Sequence, residues 1–280
     1  MTALALDLAL ARRIELAEAL AAAGCAHTME RLRPGSGAAV LEVAGGFAVY
    51  CGADSPVTQA VGLGLDGPVS EDDFSRLEGF YRNRNEPVRV ETCPLADASL
   101  IQHFGKNGYR VTEFTNVMAR VLCRTNEGRE STDVAADVPS GITVERIGGG
   151  QIDLWTLTVA QGFSEKVPVT RELLETMRMF ALGRNVECYL ARVDGAVAGG
   201  GTLAIREGVA GLFGASTLPG FRNRGVQTAL LRVRLEAARE AGCDLAVCLA
   251  QPGSTSERNV VRKNFGVLYT RVKFERANNE

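Results

Sequence analysis

Ser216-Thr217-Leu218-Pro219-Gly220-Phe221-Arg222-Asn223-Arg224-Gly225-Val226-Gln227-Thr228-Ala229-Leu230-Leu231 is the stretch on which the reading of this chain turns. An apolar run ends, a polar turn with two glycines and two arginines follows, and an amphipathic pattern begins. That order predicts a strand over 209–218, a turn, and a long helix over 225–241 with Gly242 at the C-cap position. Val226, Leu230, Val233 and Ala237 form one apolar stripe, while Arg232, Glu236, Arg239 and Glu240 face water. The start of such a helix presents unpaired N–H groups and a partial positive charge, and both favour a phosphate. Gly225 lets the backbone come close to a ligand. Arg222 and Arg224 add charge and guanidinium donors, and Thr228 adds a hydroxyl in the first turn. On physics alone the segment is an anion site that suits a pyrophosphate, or a plain strand–turn–helix whose arginines are merely solvated.

Working outward, the second half reads as a strand over 142–147, helices over 153–163 and 170–182, and strands over 188–193 and 196–205. Asp194-Gly195 between the last two is a hairpin signal. A buried strand over 245–250, a short helix over 256–263 and an extended stretch over 267–275 follow. The first half reads as a helix over 2–23 and short strands over 39–43 and 47–51 around Gly45-Gly46. Next come a glycine-rich apolar stretch over 60–65 and a helix over 70–82, with Ser70 as N-cap. A strand over 88–92, a helix over 98–106 and an extended run over 109–122 complete it. Between the halves, RTNEGRESTDVAADVPS over 124–140 is charged and poor in large apolar residues, which marks a linker. The expected organisation is a domain over 1–123, a linker over 124–140 and a domain over 141–280, of α/β (α+β) class. Gly105-Lys106-Asn107-Gly108-Tyr109 and Arg262-Lys263-Asn264-Phe265-Gly266 stand before the closing strands of the two halves as a faint internal repeat.

Composition removes several function classes. The 280 residues carry a net charge of −2, with no basic stripe for nucleic acid. Seven cysteines form no CxxC pair and only two histidines occur, so no metal site is expected. Irregular cysteines in apolar runs indicate a reduced, cytoplasmic chain. No apolar run reaches the length of a membrane span.

The quoted loop resembles the pyrophosphate loop of the GCN5-related N-acetyltransferase (GNAT) superfamily, Arg/Gln-x-x-Gly-x-Gly/Ala. Here it reads Arg222-Asn223-Arg224-Gly225-Val226-Gln227, departing only at Gln227, whose side chain must point aside. The resemblance covers about 135 residues, and the order of strands and helices matches that fold. It implies two GNAT-like domains, each a mixed, mostly antiparallel sheet flanked by helices, the first a degenerate copy without the loop. It implies acetyl-CoA as co-substrate. Ser216, Thr217 and Leu218 would pair with the pantetheine amides, on a strand that splays from its neighbour. Arg222, Asn223, Arg224, Gly225, Val226, Gln227 and Thr228 would cradle the pyrophosphate.

The catalytic residues are less legible. The tyrosine common in the last short helix of the family falls at Val260, and at Phe104 in the first half. The glutamate often found on the central strand is absent. Glu187, Tyr189, Ser254 and Asn259 are the weak candidates, with Ser254 equally suited to a helix N-cap, and Tyr269 is a further one or a half-buried strand tyrosine. The expected function is transfer of an acetyl group from acetyl-CoA to a small amine by direct attack. A non-catalytic acyl-CoA sensor or scaffold is the alternative. The loop lacks the Gly-Lys-Ser/Thr end of a P-loop, which argues against ATP or GTP.

Overall fold

The computed structural model describes residues 4–53, 55–122, 139–164 and 168–277. All but the last two residues of the expected linker lie outside them. The chain divides into two compact units: Met1–Ala119 with Leu249–Val261 and Phe265–Glu280, and Arg120–Cys248 with Arg262–Asn264. This differs from a division at 124–140, because the C-terminal segment groups with the first half. Residues 141–280 therefore do not make up the second unit by themselves.

In the second unit the strands are β6 (Ile142–Arg146), β7 (Val186–Val193), β8 (Ala196–Arg206), β9 (Val209–Thr217) and β10 (Leu245–Ala250). They lie in the order β10-β9-β8-β7-β6. The β6–β7, β7–β8 and β8–β9 pairs are antiparallel, and β9–β10 is parallel. Asp194-Gly195 and Glu207-Gly208 supply the consecutive positive φ values that tight hairpins need. The helices are α4 (Ile152–Phe163), α5 (Arg171–Ala181) and α6 (Val226–Glu240). A row of three glycines in β8 fixes how they pack. A Cβ on Gly200 would lie 2.9 Å from Trp155 Nε1 and Val159 Cγ2 of α4, while one on Gly201 would lie 3.0 Å from the Arg234 guanidinium of α6. Successive strand residues point to opposite faces. So α4 and α6 cover opposite sides of the sheet, each seated in a slot where β8 has no side chain. Trp155, Val159, Met177 and Leu190 form the core on the α4–α5 side.

The first unit contains α1 (Leu8–Leu32), β1 (Ala39–Val43), β2 (Gly46–Tyr50), β3 (Gln59–Val61), α2 (Glu71–Arg82), β4 (Val88–Thr92), α3 (Ala98–Lys106) and most of β5 (Arg110–Val121). It also contains α7 (Thr255–Val261) and β11 (Gly266–Arg276). Both units are mixed, mostly antiparallel sheets flanked by helices, as expected. The helix expected over 2–23 runs through Gly24 and nine residues beyond Ala23, to Leu32. A glycine inside a helix costs only about 1 kcal/mol, and the buried face continues through Ala26 and Met29. Of the glycine-rich stretch over 60–65, only Ala60 and Val61 lie in a strand, because Gly62 and Gly64 turn the chain with φ of +81° and +73°.

The largest departure is β11. It lies between β4 and β5, antiparallel to both. Arg271 on β11 is fully buried, and its Nε donates to Glu15 Oε1 of α1 at 2.7 Å. The Tyr269 hydroxyl donates to the same oxygen at 2.7 Å, and Glu18 stands 2.8 Å from Arg271 Nη1. Burial opposes the charge on Arg271, but Glu15 and Glu18 outweigh it and hold the guanidinium protonated. Removing Glu15 leaves the buried guanidinium with the partly exposed Glu18 and strips the Tyr269 hydroxyl of its acceptor, whereas removing Glu15 and Arg271 together takes the buried charges away. Glu15→Ala is expected to lower unfolding stability by about 3–5 kcal/mol, and Glu15→Leu combined with Arg271→Met by much less. Urea denaturation followed by circular dichroism measures both; equal losses would show that the pair does not anchor β11.

Candidate functional site

The parallel ladder between β9 and β10 pairs Val209 with Leu245, Ala210 with Ala246 and Gly211 with Val247, and then stops. Among the described residues, β9 from Leu212 onward has only β8 beside it, which leaves one edge of its backbone without a strand partner and a fork where β9 and β10 part. Just past the fork the β8 register jumps. Gly200 pairs with Ser216 but Thr202 pairs with Phe213, so β9 carries an extra residue in a bulge, with Gly214 at φ +56°. A bulge of this kind bends its strand and redirects its backbone groups. Close packing holds the far end of β9. The Ser216 hydroxyl donates to the Val159 carbonyl at 2.9 Å, and Leu218 N–H donates to the Ala198 carbonyl. A Cβ on Gly199 would strike the Ser216 carbonyl oxygen, so the first glycine of the triplet admits the strand.

The chain then makes a turn of 3-10 helix at Pro219–Phe221 and enters α6. Asn223 and Gly225 have φ of +59° and +87°. No side chain caps α6, whose N-cap residue is Gly225. Its first turn therefore presents N–H groups that the helix cannot pair internally. A Cβ on Gly225 would lie 2.6 Å from Pro139 Cδ, so both its backbone angle and its surroundings demand glycine.

The two arginines do different work. Arg222 donates from Nε to the Thr217 carbonyl at 3.3 Å and from Nη2 to the Gly162 carbonyl at 3.1 Å, lashing the turn to β9 and α4. Arg224 is half-exposed, stacks near Phe221 and stands 3.4 Å from Asp194, a loose surface pair. Gln227 points aside, its Nε2 donating to Thr217 Oγ1 at 2.8 Å. Thus Ser216, Thr217, Leu218, Arg222, Asn223, Arg224, Gly225, Val226, Gln227 and Thr228 form one continuous strand end, turn and helix start. The glycine triplet and the bulge escaped the sequence reading; the run Gly199-Gly200-Gly201 inside a strand pattern was the available signal.

The catalytic candidates are scattered. Tyr189 pairs across the sheet with Gly201 and so shares the α6 face, where its hydroxyl donates to Glu187 Oε2 at 2.5 Å. Glu187 in turn holds Arg146 at 2.9 Å. Burial and Glu187 push the Tyr189 phenol up, which disfavours a role as base. Ser254 accepts from Glu257 N–H at 3.1 Å, the bond of an N-cap. Asn259 and Val260 lie on α7, and both belong to the first unit along with Ser254. Tyr269 is fully engaged with Glu15 and buried rather than half-buried. Burial raises the Cys188 and Cys248 thiols to about 12, so they act as small apolar groups. Among the described residues no cluster of three metal-binding side chains occurs, and no helix is long and apolar enough to cross a membrane.

The first unit has the same strand–helix–strand crossover, with β3 parallel to β4 across α2. Its helix start is closed. The Ser70 hydroxyl accepts from Asp73 N–H at 3.0 Å, and Glu71, Asp72 and Asp73 fill the first turn. A phosphate would meet three carboxylates where α6 offers free N–H groups. Phe104, at the position of the family tyrosine, is a core residue.

Comparison with known proteins agrees with this geometry. Residues 154–266 match the profile of the Acetyltransferase (GNAT) family. No curated protein sequence matches the chain. Among solved structures, a GCN5-related N-acetyltransferase from Kribbella flavida is similar at 13% identity with a TM-score of 0.63, covering 93% of this chain and 96% of that one. A tandem GNAT protein from the clavulanic acid biosynthesis pathway, solved without AcCoA, is similar at 16% identity with a TM-score of 0.60, covering 91% and 88%. A GCN5-related N-acetyltransferase from Sphaerobacter thermophilus is similar at 18% identity with a TM-score of 0.56, covering 97% and 94%. The fork, the bulge and the uncapped helix all lie inside the segment, residues 154–266, that matches the Acetyltransferase (GNAT) family, and the solved structures share the fold.

Proposed function

We propose that the second unit binds acetyl-CoA and transfers its acetyl group to a small amine, and that the first unit is a degenerate copy without a cofactor site. One observation carries this reading: an uncapped helix N-terminus directly follows a strand whose edge is unpaired beyond Gly211. The free N–H groups of the α6 first turn, with Arg224 beside them, suit a pyrophosphate. The unpaired edge of β9 from Leu212 to Thr217 suits an extended chain of amides such as pantetheine, as an added strand would. Arg222 holds the turn in place rather than meeting the phosphate itself. Bound acetyl-CoA supplies a thioester carbonyl that an amine attacks directly. The residues of this chain position it and exclude water, and proximity alone can supply much of the rate.

Val260 and the acid-free strand β9 also fit a sensor that binds without turnover. Titration of the full chain with acetyl-CoA, with ATP and NAD as controls, comes first. Selective binding in the micromolar range is expected; no binding overturns the reading. Thiol release in the presence of mixed amines then separates enzyme from sensor.

Two variants test the placement. Arg224→Ala removes a charge-assisted phosphate contact of about 1.5–3 kcal/mol, and should weaken acetyl-CoA binding roughly tenfold to hundredfold in the same titration. An unchanged affinity would put the phosphates elsewhere. Gly225→Ala forces a side chain into the left-handed region at a cost of about 1–3 kcal/mol, and should reduce affinity further while leaving the circular dichroism spectrum near that of the parent.

A further inference from the structure

The second unit's own lining of the fork narrows the acceptor. Phe213 stands two residues past Gly211, the last residue of β9 paired with β10. It pairs across the sheet with Thr202, which pairs with Cys188, and Cys188 packs in the core beneath α4 and α5. Phe213 therefore projects on the α4–α5 face, opposite the face that carries Glu187, Tyr189 and Arg234. There its ring meets Phe180 of α5 edge to face, with centroids 5.3 Å apart and planes at 86°. Trp155 closes the wall, with its ring 3.6 Å from where a Cβ on Gly214 would lie. Phe180 and Phe213 are both half-buried.

Charge on this unit points the same way. On α4 and α5, Asp153 faces Arg178, Glu175 faces Arg171 and Glu172 takes a hydrogen bond from Thr170; on the strands and hairpin, Glu145 faces Arg192, Glu187 faces Arg146 and Asp194 faces Arg224. Strand β9 has no titratable side chain at all. An alkylammonium acceptor needs a carboxylate to hold its charge and a base to take its proton before the nitrogen can attack. An aromatic amine needs neither, because its nitrogen is already uncharged at neutral pH, and its ring suits an edge-to-face aromatic wall.

Resting on the acetyl-transfer reading above, we propose that the acceptor is a weakly basic aromatic amine seated against Phe213 and Phe180. Its nitrogen lone pair forms the new C–N bond to the thioester carbonyl carbon as the C–S bond breaks. Coenzyme A leaves as the thiolate and takes up the proton that the nitrogen loses, so no further reactant is required.

Thiol release by the full chain with acetyl-CoA tests this across four amines: 4-methylaniline, benzylamine, lysine methylamide and spermidine. The expected order places 4-methylaniline above the three alkylamines in kcat/KM by at least about tenfold. Benzylamine keeps the ring but carries a charged nitrogen, so it separates ring recognition from basicity. Phe213→Leu keeps apolar volume and removes the ring. It should lower kcat/KM for 4-methylaniline by about tenfold relative to the alkylamines. If acetyl-CoA binds but the alkylamines are turned over as well or better, or if none of the four is acetylated, this inference falls and the cofactor reading stands. The inference also falls if Phe213→Leu slows all amines equally. If acetyl-CoA does not bind, both fall together.

Discussion

The left-handed backbone at Gly225 is the constraint on which the site depends. With φ at +87° and Pro139 pressed where a Cβ would stand, the residue turns the chain so sharply that α6 starts without a side-chain cap. An ordinary N-cap serine or aspartate would satisfy the first-turn N–H groups and add about 1 kcal/mol of helix stability. The protein forgoes that gain. What remains is a set of donors and a partial positive charge with no partner in the fold, aimed where β9 ends.

That turn is useful only because β9 ends in the right place, and three glycines in β8 see to this. Gly199 admits the end of β9, Gly200 the indole of Trp155, and Gly201 the guanidinium of Arg234. Each glycine weakens a strand through lost side-chain packing and extra unfolded-state entropy. Here each recovers a close approach that a Cβ would forbid. Arg234 shows how tight the fit is. It is buried and held by the Leu230 and Thr202 carbonyls, and burial brings its pKa down to about 10. The bulge at Gly214 then bends β9 away from β10, so the fork follows from backbone geometry rather than from any catalytic side chain.

Most of this second unit was legible in the sequence because its signals are local. Hydrophobic period marked α4, α5 and α6, Asp194-Gly195 marked a hairpin, and Arg222–Gln227 marked the turn. The Gln227 side chain, expected to point aside, bonds to Thr217. The role of Arg222 was not legible, since its partners are carbonyls contributed by Thr217 and Gly162, 60 residues apart from it in the second case. The placement of β11 was hidden for the same reason. Nothing near Arg271 in sequence announces that its partner is Glu15, 256 residues away. A strand pattern gives the face a residue points to, not which strand lies beside it. Local reading therefore assigned β11 to the half it follows.

The two crossovers argue most directly for why a single cofactor site is proposed. Each unit has parallel strands joined by a helix, β3–α2–β4 and β9–α6–β10, and each has a left-handed glycine after its first strand. In the first unit the helix start is a stability device: Ser70 caps it, three acids complement its dipole, and Glu71 reaches Lys106. In the second the same position carries no cap and no acid. A helix start cannot be both satisfied by its own residues and open to a phosphate, because the same N–H groups serve either purpose. The first unit has taken stability and the second has kept the vacancy. The difference lies in a few residues at one turn of one helix rather than in the fold that surrounds it.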